Sequence, residues 1–127
     1  MDISTQNAPE QLIAKALNLS RYARRLTESD PAALDLLRAT LFIPWDAAAM
    51  QAFLDGCAID DETTLKKALR ALRKQVMLRL IVRDLAGLAD LREVMSTATV
   101  LAEVTTNFAL SRIDSWLRSQ YGPPIGE

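Results

Sequence analysis

The chain has 127 residues, half of them hydrophobic, and a formal net charge of -1, which suits one domain with one hydrophobic core. The near-neutral charge removes any overall attraction to nucleic acid or to an anionic membrane. Histidine is absent, which excludes Ser–His and Cys–His catalysis within the chain, and Cys57 has no second cysteine with which to form a disulfide. The N-terminus lacks a signal-peptide pattern, and no apolar run approaches the ~20 residues of a membrane span. We therefore predict a soluble, cytoplasmic protein.

The first part of the chain predicts short helices. Residues 1–8 are expected to form a flexible tail, and Pro9 suits the first position of a short helix. Ser20 is a candidate N-cap for a second helix. Asp30, followed at once by a proline, is a typical start signal for a third helix.

A fourth short helix is expected after Pro44, which interrupts the preceding stretch. It is predicted to begin near Trp45 or Asp46. Gly56 suits the left-handed backbone position just past its end.

Two long helices are predicted for the remainder of the chain, at about 61–86 and 90–121. Asp60 or Asp61 caps the first, and Gly87 ends it. A tight glycine corner between two long helices indicates an antiparallel hairpin. The predicted fold is therefore all-α, an irregular bundle built on these two helices with the short N-terminal helices packed against them.

The second long helix has clear signals at both ends. Asp90 is the predicted cap, and Glu93 lies three residues further on in a capping-box arrangement. Gly122 ends the helix, and the Pro-Pro pair behind it forbids continuation. We thus divide the chain into a tail, a single helical domain at 9–121, and a linker at 122–127.

The first long helix is apolar on most sides yet carries several charges. Arg70 and Arg73 lie on one side of a helical wheel, whereas Arg79 and Arg83 lie near the opposite side. The helix is therefore expected to be central, with some guanidinium groups directed inward. A buried charge needs a partner, so carboxylates or helix-end carbonyls are expected there. The candidate carboxylates are Asp30, Asp46 and Asp55.

A functional alternative for these arginines is a basic surface for a phosphate or a partner domain. The second long helix offers a further alternative, because its apolar face widens toward the C-terminus. That face is either ordinary core or a surface that packs on further polypeptide. The structural and interface candidates are Arg70, Arg73, Arg79, Arg83, Asp84, Trp116 and Tyr121.

The stretch RALRKQVMLRLIVRDLAGLADLREV at 70–94 resembles the N-terminal region of the bacterial glutamine synthetase adenylyltransferase/deadenylylase family. RDLAGLADLREV at 83–94 carries the most specific part of this resemblance. SRYARRL at 20–26, DPAALDLL at 30–37 and YGPP at 121–124 extend it, so that it covers most of residues 12–124.

The resemblance implies a large bifunctional enzyme that transfers AMP from ATP to a tyrosine of glutamine synthetase and removes it by phosphorolysis. It implies ATP and magnesium as cofactors of the parent enzyme, and glutamine synthetase, a PII-type signal protein and the catalytic domain of the same polypeptide as partners. The family's Gly-rich turn with paired aspartates has no counterpart here, so the resemblance implies that the linker at 122–127 leads toward a catalytic domain that is absent from this chain. No catalytic, cofactor-binding or metal-binding residue is therefore predicted in this chain, which is expected to act as scaffold and to be inactive alone.

Three other functions are alternatives to this one. A stand-alone helical module could bind a protein partner through the widened apolar end of the second long helix. A helical nucleic-acid binder would rest on the arginines alone and is disfavoured by the net charge. A self-contained enzyme fits the sequence least.

Overall fold

The computed structural model describes the backbone of residues 3–122 and the side chains of residues 9–122. Within these residues every regular element is a helix and no strand occurs, so the predicted all-α class is confirmed. The two long helices coincide closely with the predicted ranges. The helices are α1 (Ile3–Leu19), α2 (Arg21–Ser29), α3 (Pro31–Thr40), α4 (Ala47–Asp55), α5 (Glu62–Leu85) and α6 (Leu91–Tyr121).

Five of the six helices begin at a side chain that accepts a hydrogen bond from a backbone N–H three residues further on. Each satisfies a donor that the first helical turn would otherwise leave unpaired. The predicted caps are thus confirmed, with Asp61 rather than Asp60 capping α5. The capping residues are Ser20, Asp30, Asp46, Asp61 and Asp90.

Three local predictions differ from the structure. Helix α1 begins at Ile3 and continues through Pro9, so the predicted helix start at Pro9 is wrong; Pro9 lies in the second turn, where it lacks the N–H for one hydrogen bond of the helix. Gly56 has a φ of -81° and lies in the right-handed region, so the predicted left-handed position is wrong. Glu93 makes no return bond to the Asp90 backbone, because its carboxylate is held by an arginine of α5. The predicted linker at 122–127 lies outside the described residues apart from Gly122.

The hydrophobic core consists of two clusters that share α5. The first joins α1, α2 and α3 to Leu78 and Val82 near the C-terminal end of α5. The second joins α4 and α6 to the rest of α5, and it includes Leu72 of α5 and Phe108 of α6. Helix α5 is therefore the central element, as predicted from the arginines that lie on opposite sides of this helix.

Helices α5 and α6 form an antiparallel hairpin around a tight corner. Gly87 has a φ of +75°, which a side chain would strain. The N–H of Leu88 donates to the carbonyl of Arg83 at 2.8 Å, and that of Gly87 to the carbonyl of Asp84 at 3.1 Å. These two bonds are those of a Schellman motif, which satisfies the last carbonyls of α5 and reverses the chain.

Candidate functional site

Arg79 and Arg83 lie one turn apart on α5, and both are buried, with 2% and 5% of their surface exposed. They face the C-terminal end of α3 and the loop behind it. Helix ends of this kind expose unpaired carbonyls and the negative end of the helix dipole. The positive pair therefore lies where the backbone itself supplies acceptors.

Arg79 donates to the end of α3 through both of its terminal nitrogens. Nη1 donates to the Thr40 hydroxyl, and Nη2 donates to the Thr40 carbonyl at 2.7 Å and to the Ile43 carbonyl. The Trp45 ring lies 4.9 Å from the guanidinium carbon, a distance typical of a cation–π contact. Burial, with a smaller contribution from the charge of Arg83, lowers the pKa of Arg79 to about 10. The group thus stays charged at neutral pH.

Arg83 links three parts of the chain. Its Nη1 donates to the Leu41 carbonyl at 2.6 Å, and its Nη2 donates to the Leu88 carbonyl at 3.1 Å. Nε and Nη2 also bind the two carboxylate oxygens of Glu93 at 2.9 and 3.2 Å. This two-bond geometry is available to arginine and not to lysine. The residue therefore ties α5 to α3, to the hairpin corner and to the first turn of α6.

The predicted partner classes for the buried arginines, helix-end carbonyls and a carboxylate, are both present. The prediction that Asp30, Asp46 and Asp55 are the carboxylate partners is wrong. Asp30 and Asp46 accept bonds from the first turns of α3 and α4, and Asp55 accepts from Gln51 on its own helix. Short polar side chains at helix starts are held by local backbone donors and are not free to reach α5.

Glu93 is not among the carboxylates that were predicted as partners of Arg83. A signal for it exists in the predicted hairpin, because residues that lie equally far from a tight corner face each other on antiparallel helices. Glu93 lies five residues after Leu88, and Arg83 lies five residues before it.

Arg70 and Arg73 lie on the solvent side of α5, and so does Asp84. The two arginines belong to a run of exposed cations, which we call the basic strip. Lys66 pairs with Glu62 at 3.0 Å, one turn before it. Within the described part of the chain, no ion pair or side-chain hydrogen bond is formed by Lys67, Arg70, Arg73 or Lys74. The strip consists of Lys66, Lys67, Arg70, Arg73 and Lys74.

A groove of about 520 Å³ runs between α5 and α6 beside the basic strip. We call it the hairpin groove. Arg70 and Arg73 form its rim on α5, and two threonines of α6 contribute the remaining polar groups. Its apolar walls are Leu69, Met77, Ala98, Leu101 and Ala102.

Helix α6 carries large hydrophobic side chains that the two core clusters leave exposed. At 100° per residue they fall within an arc of about 120° on the outer side of the helix. Trp116 is instead half-buried against the second core cluster, and Tyr121 is 76% exposed. We call this outer face the α6 stripe. It consists of Leu91, Met95, Leu110, Ile113, Leu117 and Tyr121.

The described residues contain no group of three or more acidic, cysteine or histidine side chains that could hold a metal ion. No step through magnesium is therefore assigned to this chain. Cys57 is a free, half-buried thiol whose Sγ lies 3.3 Å from the Phe53 carbonyl. None of the described helices is both long and apolar enough to cross a membrane.

A protein-family model described as glutamate-ammonia ligase adenylyltransferase matches residues 10–127. A relative from Nitrosomonas europaea is 43% identical over 120 residues, which cover 91% of this chain and 13% of that protein. One from Chromobacterium violaceum is 44% identical over 115 residues, with the same two shares. Both are named bifunctional glutamine synthetase adenylyltransferase/adenylyl-removing enzyme. The chain thus spans about an eighth of these relatives, and no solved structure matches it.

Proposed function

The chain belongs to the glutamate-ammonia ligase adenylyltransferase family, and from this membership we propose that it is a region of a bifunctional enzyme that attaches AMP to glutamine synthetase and removes it again. The observation that carries the proposal is the match along residues 10–127 together with relatives above 40% identity. ATP and magnesium serve this chemistry in the parent enzyme. Glutamine synthetase, a PII-type signal protein and the catalytic domain of the same polypeptide are its partners, in the cytoplasm.

The local role that we propose for this chain is to act as a scaffold that packs against further polypeptide of the enzyme. Two features support it. The buried arginines lock α3, α5 and the start of α6 together, which makes the hairpin a rigid element. The α6 stripe then presents an apolar surface of the kind that marks a protein contact.

The activity is tested with the full-length gene product, glutamine synthetase, magnesium and ATP labelled in its α-phosphate. Incorporation of label into glutamine synthetase, and its later release with inorganic phosphate, are the expected results. Residues 1–127 alone should incorporate no label above background. Transfer by these residues alone would contradict the scaffold role, and no transfer by the full-length product would contradict the family activity.

The packing role is tested by changing the α6 stripe in both forms of the protein. The double substitution Ile113→Ser and Leu117→Ser removes apolar side chains that are already half-exposed in this chain. The thermal midpoint of residues 1–127 should change little, whereas that of the full-length product should fall because a packed contact is lost. The matched control is Leu19→Ser with Ile43→Ser, two exposed apolar residues outside the stripe. An equal response to both pairs would contradict the proposal.

A stand-alone interaction module remains the second candidate, and the α6 stripe is the observation that favours it. It predicts that residues 1–127 capture a separate protein through the stripe. If the substitutions in the α6 stripe abolish capture but leave the thermal midpoint of the full-length product unchanged, this candidate is favoured over the packing role.

A further inference from the structure

We propose that the hairpin groove and the basic strip together form a docking site for an acidic amphipathic helix. Such a partner places apolar side chains into the groove and a row of carboxylates against the strip. The site lies beside the α6 stripe, because Ala102 and Thr106 of the groove wall fall within the arc of the stripe on a helical wheel. The proposal does not depend on the function proposed above.

The first observation behind this proposal is the crowding of like charges on α5. Lys66 and Arg70, Lys67 and Arg70, Arg70 and Arg73, and Arg70 and Lys74 are three or four residues apart, where side chains on a helix are neighbours. Each like-charged pair at this spacing destabilises a helix. The chain as a whole has a net charge of -1, so this concentration of positive charge is local. Carboxylates from a partner would convert the repulsion into attraction.

The second observation is that the described chain does not neutralise this charge from the facing helix. The groove wall on α6 consists of Ala98, Leu101, Ala102 and two threonines, with no carboxylate among them. The groove, of about 520 Å³, is open to solvent and has mainly apolar walls, so it can accept side chains of a partner. The small side chains on α6 keep the groove open, and the arginines remain available at its rim.

The shape and chemistry of the site favour a helix. Apolar walls that follow two neighbouring helices accept side chains at positions i, i+3, i+4 and i+7 of a docked helix. The cations lie along one edge over two turns of α5, so they match carboxylates that repeat along the edge of such a helix.

The test measures the binding of a fluorescein-labelled synthetic peptide to residues 1–127 by fluorescence anisotropy. The peptide is an amphipathic helix with leucines on one face and glutamates along both edges of that face. Saturable binding that weakens as salt is added is expected. A peptide of the same composition in scrambled order, and one with lysine in place of glutamate, should both bind more weakly. Equal binding of all three peptides, or no binding, would overturn the proposal.

Two variants locate the site. Arg70→Glu with Arg73→Glu should weaken binding of the acidic peptide about tenfold or more, because two attractions become repulsions. Ala102→Phe should weaken it without a change in charge, because the ring fills the groove. The matched control, Arg21→Glu with Arg25→Glu, reverses two exposed charges on α2 and should leave the affinity unchanged. An equal loss in the control would overturn the proposal, since attraction would then be nonspecific.

Sedimentation velocity of residues 1–127 without peptide tests the alternative occupant, a second copy of the chain. A monomer is expected over the concentrations used for peptide binding. A dimer that Arg70→Glu with Arg73→Glu abolishes would show that the groove is a self-association surface and would overturn the proposal. Circular dichroism of each variant confirms that it retains its helix content.

Discussion

Arg83 shows how one residue can organise a small helical protein. The residue is 5% exposed, and its partners come from the end of α3, from the hairpin corner and from α6. A charge removed from water at this depth is tolerated because every bond is to a carbonyl or a carboxylate with good geometry. Arg79, one turn away, binds the same end of α3 and contacts the face of Trp45. The two residues thus stabilise the α3–α5 contact, because they donate to carbonyls at the end of α3 that apolar side chains would leave without a hydrogen bond.

Arg83→Ala is expected to lower the free energy of unfolding by about 3–5 kcal/mol, because it leaves the half-buried Glu93 carboxylate and the carbonyls of Leu41 and Leu88 without their donor. Arg70→Ala, at an exposed position on the same helix, should change it by no more than about 0.5 kcal/mol. Urea denaturation followed by circular dichroism measures both. The double variant Arg83→Met with Glu93→Met should be less destabilised than Arg83→Met alone, since no unpaired carboxylate remains. Equal effects of the two alanine variants would show that the buried bonds contribute little.

The helices are defined by interactions at their ends as well as by their apolar faces. Five caps satisfy backbone donors in the first turns, and the Schellman motif satisfies carbonyls at the end of α5. At the start of α5 the exchange is reciprocal. Asp61 accepts from the Thr64 backbone at 2.9 Å, and the Thr64 hydroxyl accepts from the Asp61 N–H at 3.0 Å. This box starts the helix that both core clusters share.

Asp61 gives the start of α5 a defined pH dependence. Hydrogen bonds from the backbone and hydroxyl of Thr64 lower the pKa of Asp61 below its ordinary value of 3.8. Because the pKa is lower in the folded state than in the unfolded state, the carboxylate contributes stability that is present above pH 3.8 and is lost as the pH falls through the folded-state pKa. The difference in thermal midpoint between the wild type and Asp61→Ala should therefore be largest near neutral pH and shrink in acid.

Thermal melts at a series of pH values from neutral to acidic measure this difference. Asp60→Ala is the control, because the Asp60 carboxylate accepts no hydrogen bond within the described residues. It should shift the midpoint less than Asp61→Ala at neutral pH. A difference for Asp61→Ala that grows toward low pH would contradict the assignment of Asp61 as an ionised cap.

At the scale of the whole molecule, α5 makes the two core clusters into one structure. Leu78 and Val82 belong to the first cluster, and Leu65, Leu72 and Val76 belong to the second. Loss of either cluster exposes a side of the same helix, so the other cluster loses its support. The arrangement predicts that residues 1–127 unfold in a single transition.

Leu37→Ala in the first cluster and Leu54→Ala in the second should each cost about 2–5 kcal/mol, because both side chains are fully buried. In each variant the urea midpoint seen by circular dichroism should move together with that seen by tryptophan fluorescence. Trp45 and Trp116 both contact the second cluster. Leu37→Ala, in the first cluster, therefore tests the coupling of the two clusters more directly. A fluorescence midpoint that stays at the wild-type value while the circular dichroism midpoint falls would show two independent units.

Much of this architecture was predictable from the sequence, and the predictable part is local. The caps Ser20, Asp30, Asp46 and Asp90, the corner at Gly87 and the two long helices all depend on residues within one turn of one another. The same local interactions explain why the three proposed aspartates were unsuitable partners for the arginines, although the sequence did not show this in advance. Short-range hydrogen bonds need only the chain's own neighbours, so their signals are present in the order of the residues.

By itself, then, the sequence determined the all-α class, most helix ends, the hairpin and the need for partners around inward-facing arginines. The tertiary structure alone decided who those partners are, because the Leu41 carbonyl lies 42 residues from Arg83 along the chain and meets it only when α3 packs on α5. Packing also decided that Glu93 binds Arg83 instead of closing a capping box, and that one face of α6 stays exposed while another enters the core. These outcomes depend on how the helices pack against one another. That packing is set when the two core clusters form, and the local sequence does not reveal it.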